Sequence, residues 1–316
     1  MYRRNIVSVI VRPGGDGLRC AKPLLRAAAG CAMALAVTGG GGPSGASVSM
    51  AHEPSTARSG PVLVPARGGS MYTLMQMNLC LSGFAVCYGK VAYPTGGGAA
   101  VARIRAARPD AVTLNEACER DVARIARRTG YHLRFSTVTF SGPPLACVRP
   151  GGRGSFGDAV LTKAAIESTD SDDFATQTGI EWRRWLCVTT RVGVDVCTAH
   201  LATRSTVESA GNDAQCAELA ALLERRAATR TVIFGGDVNR SDPCAPERAW
   251  ARTDGSADQA PGLQCVYGNG ALRSPSTEVL PAAHTDHDVL LVRAQLTVRR
   301  SPTGALSGGP ELGRQG

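Results

Sequence analysis

Apolar and polar positions alternate along short segments of this chain, which is the spacing typical of half-buried β-strands. Residues 72–79 alternate regularly, and the apolar run 231–237 ends in a polar turn, as a buried strand does. Residues 185–190 and 194–200 flank a turn near Gly193 and predict a hairpin. The remaining segments that predict strands are 111–116, 131–140, 157–163 and 288–298.

Apolar residues at helical spacing predict helices between these strands. Residues 99–108 form the first predicted helix, and residues 119–129 form the second, which Gly130 closes. Ser205 and Glu208 have the spacing of a capping box in front of a further periodic segment, so we expect a helix to begin there. Strands that alternate with helices predict an α/β domain.

The chain divides into a leader, a linker, a folded body and a tail. Residues 1–51 begin with basic residues, continue with the apolar run 27–37 and end in small residues, which is the order of a secretory signal. A disordered cytosolic tail is the alternative. Residues 52–70 are rich in Gly, Ser, Pro and Ala and predict a flexible linker. Residues 71–298 hold all the predicted elements in one domain, and 299–316 predict a loose polar tail. We therefore expect a secreted, extracellular protein.

The positive charge of the chain is concentrated in the leader. Lys and Arg total 35 against 26 Asp and Glu, which gives a formal net charge of +9. The first 51 residues hold six basic residues and one acidic residue, so the rest of the chain carries +4. A hydrophobic content of 43% excludes wholesale disorder. The body is mildly cationic, which suits an anionic substrate without requiring one.

Cysteine is frequent for an intracellular enzyme, at 11 residues. Two lie in the leader, and the nine others are scattered with no CxxC pair, which argues against a zinc site. Export makes disulfides the expected state, with buried free thiols as the alternative. Cys187 and Cys197 lie at equal offsets in the two arms of the hairpin, and Cys80 and Cys87 can close a small loop. Because nine is odd, at least one thiol is free or pairs between chains.

Acid, amide and histidine side chains stand where predicted strands end or begin. Strand ends bring such groups to one edge of a sheet, where Glu and Asp offer hard oxygen ligands for Mg²⁺ or Ca²⁺. Histidine and Asn side chains are suited to holding a phosphate and its leaving oxygen. These residues are Asn78, Asn115, Glu116, His200, Asp237, Asn239, Asp286 and His287.

The motifs around these residues are specific when they are taken together and in order. MQMNL, TLNE, GDAVLTK, CTAHL, VIFGGDVN and TDHDVLLV resemble the motif series of the endonuclease/exonuclease/phosphatase superfamily, over about residues 72–298. The resemblance implies an α/β fold, a four-layer sandwich of two packed β-sheets flanked by helices, as in DNase I. It also implies hydrolysis of a phosphate ester with a divalent metal, expected to be Mg²⁺, with Mn²⁺ or Ca²⁺ as alternatives.

The resemblance also implies a role for each residue. Asn78, Glu116 and Asp286 are expected to hold the metal ion. Asp237 is expected to orient or deprotonate the attacking water. His287 is expected to act as the general base or to bind the phosphate. Water can then attack the phosphorus in line, so no covalent enzyme intermediate is needed.

A second group of residues is expected to contact the substrate. By the same resemblance, Asn239 fixes the phosphate and its partner histidine, and His200 lies near the leaving oxygen. Trp182 and Arg183 lie in a segment that mixes indoles with guanidiniums, which can stack on bases and hold phosphates; an ordinary strand is the alternative. His284 is a candidate third imidazole at the rim, with a simple loop histidine as the alternative.

The chain also departs from the family pattern. Asn115 stands where relatives often carry Gln before the metal-binding Glu. Gln264 stands where many relatives carry an Asp that orients the catalytic histidine. Gln264 could still accept a hydrogen bond from His287, although without a charge, and Asp254 or Asp258 could serve instead. This departure bears on the efficiency of the base more than on the class of reaction.

The leading interpretation is a secreted, Mg²⁺-dependent phosphodiesterase, an endonuclease that cleaves nucleic acid. The alternatives are a phospholipase C of the sphingomyelinase type, a sugar- or inositol-phosphate phosphatase, and a catalytically weakened binding domain. A phospholipase should carry an exposed apolar hairpin, and the sequence, with 5% aromatic residues, contains no long one. We expect a nucleic acid or other phosphate-ester substrate, no stable membrane insertion, and a monomer, with the oligomeric state left open.

Overall fold

A computed structural model describes residues 70–205 and 208–297. The predicted leader, the predicted C-terminal tail and all but the last residue of the predicted linker lie outside this part of the chain. Within it, no helix combines the length and the apolar character that crossing a bilayer requires.

The described residues contain strands and helices in alternation, as the sequence pattern predicts. The strands in chain order are β1 (Ser70–Asn78), β2 (Ala111–Cys118), β3 (His132–Thr137), β4 (Thr139–Phe140), β5 (Phe156–Thr162), β6 (Ile166–Asp173), β7 (Glu181–Trp182), β8 (Arg184–Thr190), β9 (Val194–Ala199), β10 (Thr231–Asp237), β11 (Trp250–Thr253), β12 (Gln264–Gly268), β13 (Leu272–Leu280) and β14 (Val289–Leu296). The helices are α1 (Tyr88–Val91), α2 (Thr95–Ala107), α3 (Glu119–Thr129) and α4 (Ser209–Ala227).

Most of these strands form two six-stranded sheets. The first sheet has the order β13-β14-β1-β2-β5-β3, and the second has the order β11-β12-β10-β9-β8-β6. In the first sheet β1 and β2 are parallel, and in the second β9 and β10 are parallel; the other neighbours are antiparallel. β4 and β7 pair separately as a short ribbon.

The two sheets pack face to face, and helices cover their outer faces. Between the sheets, Leu74 and Val160 of the first sheet share a buried core with Ile233 of the second. Helices α2 and α3 pack on the outer face of the first sheet through residues such as Ile104, and α4 packs on the outer face of the second through residues such as Leu219. The predicted four-layer α/β sandwich is therefore confirmed.

The predicted elements agree best where apolar residues are dense. Helix α3 and strand β10 have the predicted bounds, whereas the predicted strand 131–140 is divided into β3 and β4. Helix α2 begins at Thr95, earlier than the predicted start at residue 99. The pattern missed this first turn because it contains three glycines, which have low helix propensity. Helix α4 begins at Ser209 with Glu208 as its N-cap, so the expected capping box does not start this helix.

Three of the strands that the pattern missed are edge strands; the other two are β7, in the short ribbon, and β12, which lies between β11 and β10. β13 forms one edge of the first sheet, and β11 and β6 form the two edges of the second. Most β6 side chains are exposed, so this strand carries polar residues and lacks the apolar alternation that predicts a strand. Edge strands are held by backbone pairing with an inner neighbour, which a sequence pattern does not record.

Disulfides cross-link the described residues, as export would permit. Cys187 lies opposite Cys197 in the β8–β9 hairpin and is bonded to it, and Cys80 is bonded to Cys87, both as predicted. Cys265 is the buried free thiol that the odd count requires. The remaining disulfides are Cys118–Cys147 and Cys216–Cys244.

Candidate active site

The carboxyl ends of two parallel strand pairs meet at one end of the sandwich. In the first sheet, β1 and β2 place Asn78 beside Asn115. In the second sheet, the residue after β9, His200, pairs with Asp237 at the end of β10. Parallel neighbours end at the same edge of a sheet, so polar residues that follow them collect there. We call this end of the molecule the site end.

Asn78 joins the two sheets at the site end. Its Nδ2 donates hydrogen bonds to Glu116 Oε1 at 2.9 Å and to Asp237 Oδ2 at 3.0 Å. Its Oδ1 accepts a hydrogen bond from the backbone N–H of Cys80 at 3.1 Å. Its backbone N–H donates to Gln264 Oε1 at 3.1 Å. Asn78 therefore draws together two carboxylates that belong to different sheets.

Glu116 lies at a β-bulge in β2, where the register with β5 shifts. Its φ of 51° lies in the left-handed region, where a non-glycine residue is strained. Burial raises the pKa of Glu116 to about 7; the hydrogen bond from Asn78 acts against this rise, and the negative charges of Asp237 and Asp286 add to it. Repulsion among three carboxyl groups is what a bound divalent cation relieves, so this donor set fits such a cation.

Asp237 lies near both histidines. Its Oδ2 is 3.4 Å from His287 Nε2 and 3.8 Å from His200 Nε2. Its Oδ1 accepts a hydrogen bond from the backbone N–H of Asn239 at 3.0 Å, and its own backbone N–H donates to Asn115 Oδ1 at 2.8 Å. The residue is 1% exposed, so these contacts fix the direction of its carboxylate.

His200 is paired with Asn239. The Nδ2 of Asn239 lies 3.0 Å from His200 Nε2 and also donates to the carbonyl of Leu201 at 2.9 Å. Because an amide nitrogen is a donor, Nε2 accepts and the neutral ring carries its proton on Nδ1. Burial lowers the pKa of His200 well below its usual value, and the positive charges of Arg183 and His287 lower it further. His200 is therefore neutral at physiological pH.

Asp286 lies at the solvent-facing edge of this cluster. Its side chain is 39% exposed, and its Oδ1 lies 4.0 Å from His287 Nε2. The hydroxyl of the preceding Thr285 donates to the carbonyl of Asn78 at 2.9 Å, which fixes this loop against the end of β1. The carboxylate is thus held beside the buried residues while it remains open to solvent.

The ring of His287 does not have the partner that the sequence suggested. Within residues 70–205 and 208–297, no group forms a hydrogen bond with its buried Nδ1. The Nε2 of Gln264 instead donates to Asp254 Oδ2 at 3.0 Å and to the carbonyl of Asp288 at 2.6 Å. The expectation that Gln264, Asp254 or Asp258 accepts a hydrogen bond from this ring is wrong. A Gln amide can donate to a carboxylate and a carbonyl, whereas an Asp can only accept, so the substitution redirects the network.

A cavity of about 150 Å³ adjoins the cluster. Asn78, His284 and His287 line it, together with residues of α2. The Nδ1 atoms of both histidines are buried, and neither has a hydrogen-bond partner in the described part of the chain. The structure therefore places His284, the suggested third imidazole, beside His287.

Arg183 and Trp182, two more of the residues predicted to bind substrate, are adjacent in the chain but differ in burial. Arg183 is 8% exposed and pairs with Glu181 at 2.7 Å. Burial raises the pKa of Asp158 to about 7, and the positive charge of Arg183 opposes that rise. Burial lowers the pKa of His200, and the charge of Arg183 lowers it further. The guanidinium is thus within electrostatic reach of both groups. Trp182 is 37% exposed on the β4–β7 ribbon.

Polar side chains form a buried network beneath the site, which was not predicted. The Nε2 of Gln76 donates to Asn115 Oδ1 at 2.7 Å, and the Nδ2 of Asn115 donates to Asp158 Oδ1 at 2.8 Å. The hydroxyl of Thr113 donates to Gln76 Oε1 at 2.6 Å. The available signal is the period of two: polar residues at 76 and 78 in β1 and at 113 and 115 in β2 interrupt otherwise apolar strands.

Exposed apolar side chains occur in two segments that adjoin site residues in the chain, after Asn78 and before Arg183. Phe84 and Val86, in the loop that follows β1, are 57% and 99% exposed. Phe140, Ile180 and Trp182, on or next to the β4–β7 ribbon, are 38%, 56% and 37% exposed. Exposed apolar residues that concentrate around a site mark a contact surface. We call these five residues the apolar rim.

A comparison with family models decides the family. The model described as "Endonuclease/Exonuclease/phosphatase family" matches residues 88–310. The chain belongs to this family. Members of the family are metal-dependent phosphoesterases, and this protein is therefore a metal-dependent phosphoric ester hydrolase. A search of curated protein sequences gives no match.

Solved structures of the same fold agree with this assignment. An endonuclease/exonuclease/phosphatase from Beutenbergia cavernae is 18% identical with a TM-score of 0.55, covering 72% of each chain. The catalytic domain of human nocturnin with bound sulfate is 17% identical with a TM-score of 0.54, covering 74% of this chain and 96% of its own. TDP2 of D. rerio in complex with a single-strand DNA product is 12% identical with a TM-score of 0.50, covering 71% and 99%.

Proposed function

We propose that this protein is a secreted, Mg²⁺-dependent phosphodiesterase that cleaves nucleic acid by attack of water on phosphorus. The observation that carries the proposal is the convergence of Glu116, Asp237 and His287 at the site end, with Asn78 bridging two of the carboxyl groups. Two structural neighbours, one with a DNA product and one with a sulfate, favour an anionic phosphate-ester substrate of this kind.

Glu116 and Asp286 would hold the Mg²⁺, and Asn78, whose Nδ2 donor faces the carboxyl groups while its Oδ1 accepts from Cys80, would help to hold the ion by positioning these groups. Carboxylate oxygens are the hard ligands that Mg²⁺ prefers, and Mn²⁺ or Ca²⁺ can occupy similar sites. Asn78 bonds to Glu116 and Asp237 and so keeps the carboxyl groups together. When bound, the ion neutralises charge on the phosphate and lowers the barrier to attack by water.

Asp237 and His287 would direct the attacking water. Their side chains approach to 3.4 Å, so one water molecule can contact both. Asp237 is buried and aligned by Asn115 and Asn239, which suits a group that orients the nucleophile. His287 would accept the proton or hold the phosphate, because a neutral imidazole nitrogen is an acceptor.

Asn239, His200 and Arg183 would hold the phosphate. Asn239 and His200 are paired side chain to side chain, and His200 is neutral, so it contacts a phosphate or leaving oxygen as a hydrogen-bonding group rather than as a cation. Arg183 brings a positive charge to the same region from the start of β8. Trp182, next to it on the rim, would stack on a base.

Phospholipid hydrolysis is the second candidate, and the apolar rim favours it. Val86 and Ile180 are aliphatic and strongly exposed, and aliphatic side chains do not stack on bases as aromatic ones do. Apolar residues around a phosphoesterase site suit a substrate at a lipid interface. The rim supplies the exposed apolar surface that the sequence alone did not indicate.

Export is part of the proposal, and the disulfides support it. Disulfides persist in oxidising compartments and are rare in the cytosol, and the described chain contains the pairs Cys80–Cys87, Cys118–Cys147, Cys187–Cys197 and Cys216–Cys244.

A substrate panel tests the proposed function. Plasmid DNA, single-stranded DNA, RNA, sphingomyelin vesicles and an aryl phosphomonoester are incubated with the protein in Mg²⁺ and in EDTA. We expect cleavage of nucleic acid in Mg²⁺ only, and none by Glu116→Gln. Hydrolysis confined to sphingomyelin would favour the second candidate. Hydrolysis confined to the phosphomonoester, or cleavage that persists in EDTA, would contradict the proposal.

A further inference from the structure

The disulfide Cys80–Cys87 lies against the candidate metal site. The sulfur atoms of both cysteines and a carboxylate oxygen of Asp286 lie within 4.8 Å of one another. The sulfurs are bonded to each other, so they are not thiolate ligands in this state. Their contact with Asp286 nevertheless places a covalent cross-link next to the most exposed carboxylate of the site.

The same cross-link fixes Asn78. The backbone N–H of Cys80 donates a hydrogen bond to Asn78 Oδ1. This bond orients the amide so that its Nδ2 faces Glu116 and Asp237. If Cys80 moved, the amide would lose the bond that sets its orientation, and the two carboxyl groups would lose their common donor.

Backbone bonds on both sides of Cys80 extend the contact to β2. The N–H of Leu79 donates to the carbonyl of Asn115 at 3.0 Å, and the N–H of Leu81 donates to the carbonyl of Glu116 at 2.8 Å. Cys80 itself has a φ of 48°, in the left-handed region that a cysteine adopts only when its surroundings impose it. The segment is therefore held, and the bond to Cys87 is its covalent restraint.

The loop between Cys80 and Cys87 is also anchored through Ser82 and Gly83. The carbonyl of Ser82 accepts a hydrogen bond from the backbone N–H of Val148 at 2.9 Å. At the next residue, Gly83, a β-carbon would lie 2.2 Å from the Val148 carbonyl oxygen, and φ is +83°, so only glycine fits. The first part of the loop that Cys80–Cys87 closes is therefore fixed against the segment around Val148.

We infer that Cys80 and Cys87 are a positioning pair whose disulfide holds the Asn78 amide and the Asp286 carboxylate in the geometry that metal binding requires. The inference rests on the proposed function. A dithiol reductant would break the S–S bond, transferring two electrons and two protons to give two thiols while it forms its own disulfide. The reduced protein binds metal weakly and turns over slowly, so the site is fully assembled only in an oxidising environment.

A purely structural disulfide would behave differently, and Cys216–Cys244 provides the matched control. It joins residues 28 apart in sequence, against 7 for Cys80–Cys87. Closing a longer loop removes more entropy from the unfolded chain, so loss of Cys216–Cys244 should cost more stability. If activity followed stability alone, the control variant would lose at least as much metal affinity.

The experiment compares Cys80→Ser/Cys87→Ser with Cys216→Ser/Cys244→Ser. Calorimetry measures Mn²⁺ binding, thermal unfolding measures stability, and the amide nitrogen resonance of Asn78 is followed without metal. We expect the first variant to lose about 10-fold or more in Mn²⁺ affinity, the scale of lost support to metal ligands, and to shift the Asn78 resonance. The control should change neither, although it unfolds at a lower temperature. Equal Mn²⁺ affinity in the two variants would overturn the inference.

Reduction and reoxidation of the wild-type protein give a second measurement that needs no folded variant. Mn²⁺ affinity should fall in protein whose Cys80–Cys87 bond is reduced and return when the bond re-forms, with mass spectrometry identifying which bond has been reduced. Unchanged affinity after this bond is reduced would also overturn the inference. Both readouts are independent of the substrate, so a protein that binds Mn²⁺ as expected but cleaves no nucleic acid would contradict the proposed function alone.

Discussion

Glu116 combines a strained backbone with an unfavourable charge environment. Its left-handed φ of 51° costs about 1–3 kcal/mol in a non-glycine residue. Its raised pKa shows that burial and two neighbouring carboxylates disfavour its ionised form. Such costs persist where a group is needed at one position, and a bound cation removes the electrostatic part. Below about pH 7 the metal-free site therefore retains a proton that the metal must displace.

Glu116→Gln is expected to lower turnover by more than about 10²-fold, the scale of losing one charged group from an active site, without unfolding the domain. In the wild-type protein, Mn²⁺ affinity should rise with pH through about 7, because the pKa of Glu116 is raised to about 7 and the metal needs the carboxylate. In Glu116→Gln this rise should be much reduced. Calorimetric titrations across that pH range measure both, with circular dichroism as the control for folding. Near wild-type turnover at limiting Mg²⁺ would remove Glu116 from the site.

His287→Ala is expected to lower turnover by about 10²-fold or more, the contribution of a general base. The neutral ring is the form that accepts a proton, so at a Mg²⁺ concentration that saturates the site at every pH the wild-type rate should rise with pH, and this rise should disappear in the variant. His200→Ala should retain more activity, because a metal ion can partly stabilise the leaving oxygen. The pH–rate profiles of the wild type, His287→Ala and His200→Ala show which histidine is the titrating base. If the profile of His287→Ala keeps the wild-type shape, Asp237 becomes the candidate base.

His200 should also make stability depend on pH in the metal-free protein. Its folded pKa lies well below the unfolded value of about 6.5, so only the unfolded chain takes up the proton as pH falls below that value. Its contribution to the free energy of unfolding is complete above about pH 6.5 and is lost as pH falls toward the folded pKa, by at most about 1.4 kcal/mol per pH unit.

Glu116 and Asp158 have raised pKa values, so their contribution to the free energy of unfolding increases as pH falls, opposite to that of His200. The contribution of His200 is therefore measured as the difference in free energy of unfolding between the wild type and a variant. Urea unfolding of wild type and His200→Gln in EDTA should differ by an amount that changes between pH 7 and pH 5. A difference that stays constant with pH would show that the ring titrates alike in both states.

Most strands and helices with dense apolar residues were predictable, whereas three of the four edge strands, β6, β11 and β13, were not. The buried strand β12 was also missed. β10 was predicted with its observed bounds because six of its seven residues are buried, whereas β6 presents mainly polar, exposed side chains. The convergence of the candidate site residues was predictable because they stand at strand ends in an ordered series of motifs. The partners of Gln264 were not, since Asp254 and the Asp288 carbonyl reach it only through tertiary packing.

The β4–β7 ribbon is short and carries two exposed residues of the apolar rim, Phe140 and Trp182. Trp182→Ala is expected to weaken binding of single-stranded DNA by about 1–3 kcal/mol, the value of stacking one base on an aromatic side chain. Hydrolysis of a small aryl phosphodiester should not change, because that substrate does not reach the rim. Val192→Ala is the control, since Val192 is 58% exposed in the β8–β9 turn, at the end of these strands away from Arg184. A KM for single-stranded DNA equal to that of wild type would assign Trp182 another role.

At the scale of the whole molecule, the disulfides restrain different layers. Cys118–Cys147 ties the end of β2 to the segment before β5, Cys187–Cys197 joins β8 and β9, and Cys216–Cys244 ties α4 to the loop after β10. The site draws residues from both sheets, so its geometry depends on how the sheets are held together. These cross-links restrain each sheet and the outer helix internally, and the apolar core between the sheets holds the two sheets together.

Reduction is therefore expected to destabilise the domain far more than it would a cytosolic enzyme. Each native disulfide of a secreted domain contributes roughly 2–5 kcal/mol, which is a large share of the 5–15 kcal/mol that a typical domain has in total. Unfolding in urea with and without a dithiol should show a clear loss of stability. In the oxidised protein, alkylation should label Cys265 only after unfolding, because burial raises the pKa of its thiol to about 12 and excludes the reagent. Mass spectrometry of the alkylated peptides then counts the thiols. If all nine cysteines from Cys80 onward are labelled when the exported protein is unfolded without a reductant, the disulfides do not form and the argument for export fails with them.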